Sequence, residues 1–337
     1  MKTTNKTALN AVKALLLPAA LYLVLLLLIP DRVGNLNSLN IMLIMSVVPA
    51  MMACGVSFGF ISGVMDFSIG SRLILSGMVG ALLSNHFGFV GLVVGSIGTS
   101  VLLAVFTGGL FRILRIPSLV ISLGALMMFE VAGNSLAQLA QRYWPETSTG
   151  YYIKVPADLT FLGTAPWNII IMVACLVVYY FVYYRTKFSN QARVVGSDEL
   201  IARNIGINPM QVKFVTYIVG GVFLGLAAMV SACYSGAVGS QTNMATMGAV
   251  FKPMMAVVIG MSLQRLVPLP AGIFIGVFSL NIIFTGIIAL GWSDDLQNVL
   301  LGFFMVVVVA FPKVWADIKH ARHRGKIRRE FYAKSPS

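Results

Sequence analysis

The sequence predicts an all-α polytopic membrane protein of about ten transmembrane helices. Three observations predict it. The 337 residues are 58% hydrophobic and only 10% charged, with a mean hydropathy of +0.87. A soluble chain of this length needs far more polar surface. The apolar residues fall in runs close to the ~20 residues that cross a bilayer. The positive charges collect in alternate connections between those runs, as topology control requires. The chain also holds 32 Gly and 18 Met, residue types that let membrane helices pack closely and slide.

The expected spans are 14–30, 41–62, 71–84, 89–111, 118–139, 167–184, 214–233, 248–262, 269–290 and 296–312. The first follows Lys2, Lys6 and Lys13 without a small-residue cleavage site, so it reads as a retained span. One face collects those lysines, Arg112 and Arg115, the connection 185–213 and the tail, which carries Lys313, Lys319, Arg322, Arg324, Lys326, Arg328, Arg329 and Lys334. The opposite face holds 31–40, 140–166 and 291–295, with Asp31, Glu146, Asp158, Asp294 and Asp295 against Arg32, Arg142 and Lys154. The positive face is therefore expected to be cytoplasmic. Ten spans would put both termini there. The expected organisation is a permease domain over 1–312 and a basic cytoplasmic tail over 313–337, lying beside anionic lipid headgroups or binding a partner.

The formal charge of +13 is spread over loop ends and the tail, with no aromatic-interleaved basic fold, so nucleic acid is not an expected partner. Cys54, Cys175 and Cys233 sit in apolar runs without metal-ligand spacing and read as packing residues. His86, His320 and His323 are scattered. No catalytic constellation, metal site or cofactor site is evident. The sequence contains no GxxxxGK[ST] phosphate loop, so any ATP chemistry must come from another subunit.

Four segments interrupt the apolar pattern. The first, Gly63 to Ser71 (GVMDFSIGS), places Asp66 near membrane depth, where an ionisable group needs a partner or a cavity. Asp66 either caps a broken helix starting near Ser68 or touches solute, with Phe67, Ser68 and Ser71 beside it. Gly63, Gly70 and Gly77 permit close packing or a helix break. The second, Ile116 to Gly124 (IPSLVISLG), opens a span with Pro117 in its first turn. Ser118 and Ser122, then Glu130, Asn134 and Gln138, recur every four residues. The resulting polar stripe faces protein or water, as inter-helix glue or as a translocation path. The third, Tyr234 to Pro253, is too polar for a span and reads as an external loop or a re-entrant segment. The loop 140–166 is rich in aromatics, suited to the membrane interface or to an external partner.

The fourth, Val195 to Asn208 (VGSDELIARNIGIN), is a polar island with the marks of one short helix, over about 197–206. Ser197 is placed to cap it. Asp198 and Glu199 favour its positive end, and Gly206 suits the left-handed position after its end. A capped helix presented on one face of a membrane protein is a docking surface for a soluble partner.

Three of these segments resemble the permease subunits of bacterial ABC importers of the ribose/xylose/galactoside type. Gly63 to Ser71, followed by Leu75-Ser76-Gly77, resembles the family's G-I-D-L-S-V-G-S…L-S-G run. Ile116 to Gly124 resembles V-P-S-F-I-x-T-L-G. Gly196 to Asn208 resembles G-x-N-x-x-A-A-R-x-x-G-I-N, with Ala202, Arg203, Gly206, Ile207 and Asn208 in place. The resemblance implies that the island is a cytoplasmic coupling helix seated in an ABC ATPase subunit. Asp198, Glu199, Arg203 and Asn204 would make its polar contacts, and Leu200 and Ile201 its apolar ones. It further implies a second permease subunit, an extracytoplasmic solute-binding protein, a bacterial inner membrane, and inward movement of a monosaccharide or a nucleoside by alternating access. Two departures bear on the pathway half. A Gly-rich run is reduced to Gly260-Met-Ser-Leu-Gln-Arg-Leu-Val-Pro-Leu-Pro270, and a basic residue becomes Glu130. Both point to a heterodimer over a homodimer. Two other readings are a secondary transporter coupling ions through Asp66 and Glu130, and a scaffold subunit without a path.

Overall fold

The computed structural model describes residues 2–291 and, beyond them, residues 296, 299, 300, 302, 303 and 306. Met1–Trp292 forms one compact unit and Ser293–Ser337 a second. Within the second unit the described residues are helical. The expected tenth span is described there only at those six positions. Asp294, Asp295 and the tail 313–337 lie outside the described residues.

The helices are α1 (Lys2–Leu28), α2 (Pro30–Val33), α3 (Leu36–Ile61), α4 (Ile69–Leu114), α5 (Ser118–Tyr143), α6 (Trp167–Arg185), α7 (Lys187–Ser197), α8 (Glu199–Asn204), α9 (Pro209–Ser235), α10 (Phe251–Ser262) and α11 (Leu269–Ala289). Among the described residues, eight helical stretches are long and apolar enough to cross a bilayer. One of these is α4, whose 46 residues break at Gly88 (φ 57, ψ −140). That backbone conformation is open to glycine and strained for other residues. The limbs on either side fold back on each other, bringing Gly80 against Leu92 and Ser96, and Gly95 against Gly80 and Leu83. The expected spans 71–84 and 89–111 are thus a helical hairpin within one long element. Counted by limbs, the described residues supply nine candidate crossings.

Helix α9 runs through the middle. Gly220 meets the Gly55 carbonyl of α3, while Gly221 and Gly225 meet the 97–104 stretch of α4. Ser100 Oγ donates to Gly221 O at 2.7 Å. Small residues let the backbones approach, and in lipid such close contact is a main driving force for association. An aromatic cluster of Phe58, Tyr179, Tyr183, Phe188 and Phe223 ties α3, α6, α7 and α9 together. Tyr179 keeps its hydroxyl satisfied there by sharing a 2.7 Å hydrogen bond with Ser57.

The architecture is not purely helical. Strands β1 (Ser148–Thr149), β2 (Tyr152–Lys154) and β3 (Ala237–Gly239) form a small antiparallel sheet in the order β1-β2-β3. They come from the 140–166 loop and the polar stretch after α9. Two polar connections far apart in sequence satisfy their backbone groups by pairing with each other.

Candidate functional site

The polar island forms two helices where the sequence suggested one. Helix α7 runs through Ser197, so Ser197 closes one helix and does not cap the next. The cap of α8 is Asp198, whose Oδ1 accepts from Leu200 N at 2.7 Å and Ile201 N at 3.2 Å. A carboxylate at that position satisfies two otherwise unpaired N–H groups and opposes the positive helix end. Gly206 adopts φ +82 just past the helix end. Asn208 then caps α9, accepting from Met210 N and Gln211 N at 3.1 and 3.3 Å. No residue is left between cap and helix, so α8 is joined to the central helix by a four-residue connection.

The island is anchored from below. Ala202 is fully buried with Ala192, Val195 and Val212. Glu199 pairs with Lys213 of α9 and, across one helical turn, with Arg203 at 3.9 Å. The backbone at Gly196 lies against Ile61 O, leaving no room for a Cβ. Leu200, Ile201 and Ile205 are nevertheless 69%, 55% and 60% exposed. Two of these large aliphatic side chains stand on the short helix and the third just past its end, all on an otherwise polar segment. Arg112, Arg115 and Arg203 line an open groove beside it, with Asn208 on its wall. Ile205, Lys213, Arg112 and Arg115 were not singled out as site residues from the sequence. Their roles depend on helix packing that no local motif encodes.

The second site is buried. Asp66 lies just before α4, where its Oδ1 accepts from Ser68 N at 2.9 Å and Ser68 Oγ at 2.6 Å. Its other oxygen faces Arg72 Nη2 at 3.3 Å, with both side chains less than a tenth exposed. Arg72, absent from the sequence-derived site, is one helical turn into α4. The remaining Arg72 nitrogens and the Tyr217 hydroxyl have no hydrogen-bond partner among the described residues. Asp66, Arg72, Thr216 and Tyr217 line one cavity between α3, the start of α4 and α9. Ser71 Oγ donates back to Ser68 O. Phe67 packs edge-on against Phe251 at 6.2 Å.

Glu130 is buried halfway along α5. It accepts from Met244 N at 2.8 Å, Thr246 N at 3.0 Å and Thr246 Oγ1 at 2.7 Å. The polar stretch after α9 therefore turns back to meet the middle of a spanning helix, as a re-entrant segment does. The Glu130 carboxylate satisfies two of its backbone N–H groups there. On its other side the segment touches α4, where a Cβ on Gly70 would collide with Thr246 O. The structure thus links Asp66 and Ser68, through the start of α4 and Thr246, to Glu130. Ser118 accepts from Met65 N at 3.3 Å, bringing the start of α5 to the same cluster. Ser122 is spent on Leu119 O. Asn134 is half-buried, Gln138 is exposed, and neither joins the cluster. Pro117 is the residue before α5, not within its first turn.

Residues 38–309 match the family described as branched-chain amino acid transport system / permease component. The chain is 24% identical over 292 residues to the galactofuranose transporter permease protein of Escherichia coli (strain K12), covering 82% of this chain and 80% of that one. It is 23% identical to the L-arabinose transport system permease protein of the same organism, over 92% of this chain and 90% of that one. It is 24% identical to the autoinducer 2 import system permease protein of Photorhabdus laumondii subsp. laumondii, over 85% and 84%.

Proposed function

This chain belongs to the branched-chain amino acid transport system / permease component family, and we propose that it is the membrane-spanning subunit of an ATP-driven importer for a monosaccharide. The family description names amino acids. Relatives that align over most of the chain are named for galactofuranose and L-arabinose, which supports a small polyol as the solute.

The observation that carries the reading is α8. A helix capped by Asp198, held by Lys213, with Leu200, Ile201 and Ile205 exposed, is built to enter a cleft of a soluble partner. In this reading the partner is an ABC ATPase subunit, which supplies all nucleotide chemistry, and the island lies in the cytoplasm with both termini. Asp198, Gly206 and Asn208 shape α8. Arg203 and Asn204 meet the ATPase, joined by Glu199 when it exchanges Lys213 for the partner. Closure of the ATPase dimer displaces α8, and its short connection passes the movement to α9. Tyr217 and Thr216 of α9 face Asp66 and Arg72, so the movement reaches the segment that Glu130 holds. An extracytoplasmic binding protein delivers the solute. A second permease subunit completes the pathway.

The test is affinity purification of this chain from its native membrane in mild detergent, followed by mass spectrometry of its companions. An ATPase subunit and a solute-binding protein are expected. Recovery of the chain alone, or only with itself, would sink the importer reading.

A further inference from the structure

The open groove beside α8 has two walls. One is α8 with its connection to α9, through Arg203, Gly206, Ile207 and Asn208. The other is the end of α4 and the turn after it, through Arg112 and Arg115. Three arginines therefore line one groove, and no acidic residue is among its walls.

Specific features hold the two arginines of the α4 wall. Arg112 Cζ lies 5.8 Å from the centroid of the Phe214 ring, within cation–π range. Phe214 belongs to α9, so the Arg112 guanidinium is held against that helix. Arg115 ends α4 in the left-handed region, at φ 55 and ψ 27, with its N–H donating to Phe111 O at 3.2 Å. Glycine is usual at that position, and a long side chain kept on strained backbone points to a use for it. Both arginines are exposed. Among the described residues neither has a carboxylate within ion-pair distance, whereas Lys213 of α9 is already paired with Glu199. Like charges around one groove repel each other, and negative charge from outside complements them. Acidic side chains of a soluble partner and lipid phosphate both carry that charge. Continuity with α8 decides between them. Arg203 stands on α8 itself, beside the exposed Leu200, Ile201 and Ile205. A body that covers those side chains also closes the groove.

We propose that the α4–α5 turn is a second docking element for the ATPase subunit, and that Arg112 and Arg115 hold carboxylates of an acidic segment of that subunit beside the seat of α8. Arginine suits the role because its planar fork can bind both oxygens of a carboxylate. The proposal rests on the ATP-driven importer reading above. It gives the ATPase a grip on two elements at once: α8, which leads into α9, and the end of α4, which packs along α9 through Gly221 and Gly225.

The test uses the full chain with its ATPase subunit, purified together from the native membrane in mild detergent. Release of the ATPase is followed against NaCl up to about 1 M, where the Debye length falls to about 3 Å. Release from the wild type is expected to rise with salt. The double variant Arg112→Gln/Arg115→Gln is expected to bind the ATPase at least tenfold more weakly at low salt and to lose most of the salt dependence. The double variant Arg112→Lys/Arg115→Lys keeps both charges and is expected to recover most of the affinity. In that second variant a carbodiimide, which condenses an ammonium with a touching carboxylate into an amide and takes up the water lost, is expected to join position 112 or 115 to an Asp or Glu of the ATPase. This cross-link carries the test if the glutamine variant does not assemble. ATPase retained equally by the wild type and the glutamine variant, or no cross-link from either position to the ATPase, overturns this docking element and leaves the importer reading standing. A wild type that brings no ATPase with it removes the importer reading and this proposal together. An anionic phospholipid that stays with the wild type in native mass spectrometry and is lost from the glutamine variant, with ATPase retention unchanged, assigns the groove to lipid and also overturns the proposal.

Discussion

Asp66 and Arg72 show how one buried charge dictates the identity of its neighbours. Asp66 uses both oxygens, on Ser68 and on Arg72. Removing Arg72 leaves a carboxylate buried beside an unfilled cavity. Breaking one side of such a pair costs about 3–5 kcal/mol, whereas removing both partners is often nearly neutral. Arg72→Met is therefore expected to lower the thermal inactivation midpoint in detergent sharply, and adding Asp66→Asn to recover most of the loss. A double variant no better than the single one would show that the ion pair is not what the site needs. Glu130 makes the complementary case. It meets three donors, so the side chain there must be an acceptor. Lys and Arg have none. The acid that departs from the resembling family's pattern thus serves the Met244–Thr246 segment in this chain. Glu130→Ala leaves buried N–H groups unpaired at about 1–3 kcal/mol each. It is expected to expose the 240–250 stretch to added protease in the intact assembly. Unchanged cleavage would count against Glu130 as its anchor.

At the level of elements, the unit that matters is α8 with the start of α9. Their caps, Asp198 and Asn208, lie ten residues apart in the numbering, and a salt bridge from Glu199 to Lys213 closes the unit. Arg203 is 64% exposed at its side chain, so a change there leaves the fold alone and alters only what the helix offers. Arg203→Glu is expected to assemble normally and to reduce solute-stimulated ATPase activity at least tenfold, while basal ATPase activity persists. Normal stimulation in that variant would refute the assignment of α8 as the coupling element. The island was legible in sequence because its signals are local: the acids Asp198 and Glu199 and the terminal Gly206 carry their meaning within a few residues, although the capping roles of Asp198 and Asn208 appear only in the structure. The assignment of the cap to Ser197 failed for a non-local reason. Preceding residues Lys187–Ser197 are helical, packed through Ala192 and Val195, and consume Ser197 as a last turn. The short strands of the aromatic loop after α5 were not legible for a similar reason. The loop pairs with β3, more than eighty residues on, and short β segments without strong alternation give no signal until their partner is known.

For the whole molecule, we propose from the sidedness of positive charge that the island, the Arg112/Arg115 turn and both termini share the cytoplasmic face. All three cysteines, Cys54, Cys175 and Cys233, are buried, so single cysteines introduced elsewhere can be labelled against little background. A membrane-impermeant maleimide added outside intact cells is expected to label a cysteine at Tyr151 and to spare one at Gln191. The reverse pattern would invert the topology. The reduced glycine content of 260–270 bears on assembly. Gly260, the glycine left in that run, packs against Gly272 of α11 inside the subunit, and we propose that it is therefore not available for a contact between copies. A partner permease that keeps those glycines is expected among the co-purified proteins. Active assemblies containing only self-pairs would remove that expectation.

The sequence by itself determined that the chain lies in lipid, the approximate placing of its spans, the polar island and its helix signals, and the family. Each of these depends on composition or on patterns shorter than about one helical turn or one span, and such patterns survive without knowledge of the neighbours. Only the tertiary structure decided the rest. It paired Asp66 with Arg72, gave Glu130 its three donors, folded α4 back at Gly88, and built a sheet from two distant loops. In a membrane a buried polar group must find its partner inside the protein. Which partner it finds is set by helix packing across long stretches of chain, and no local sequence rule records that.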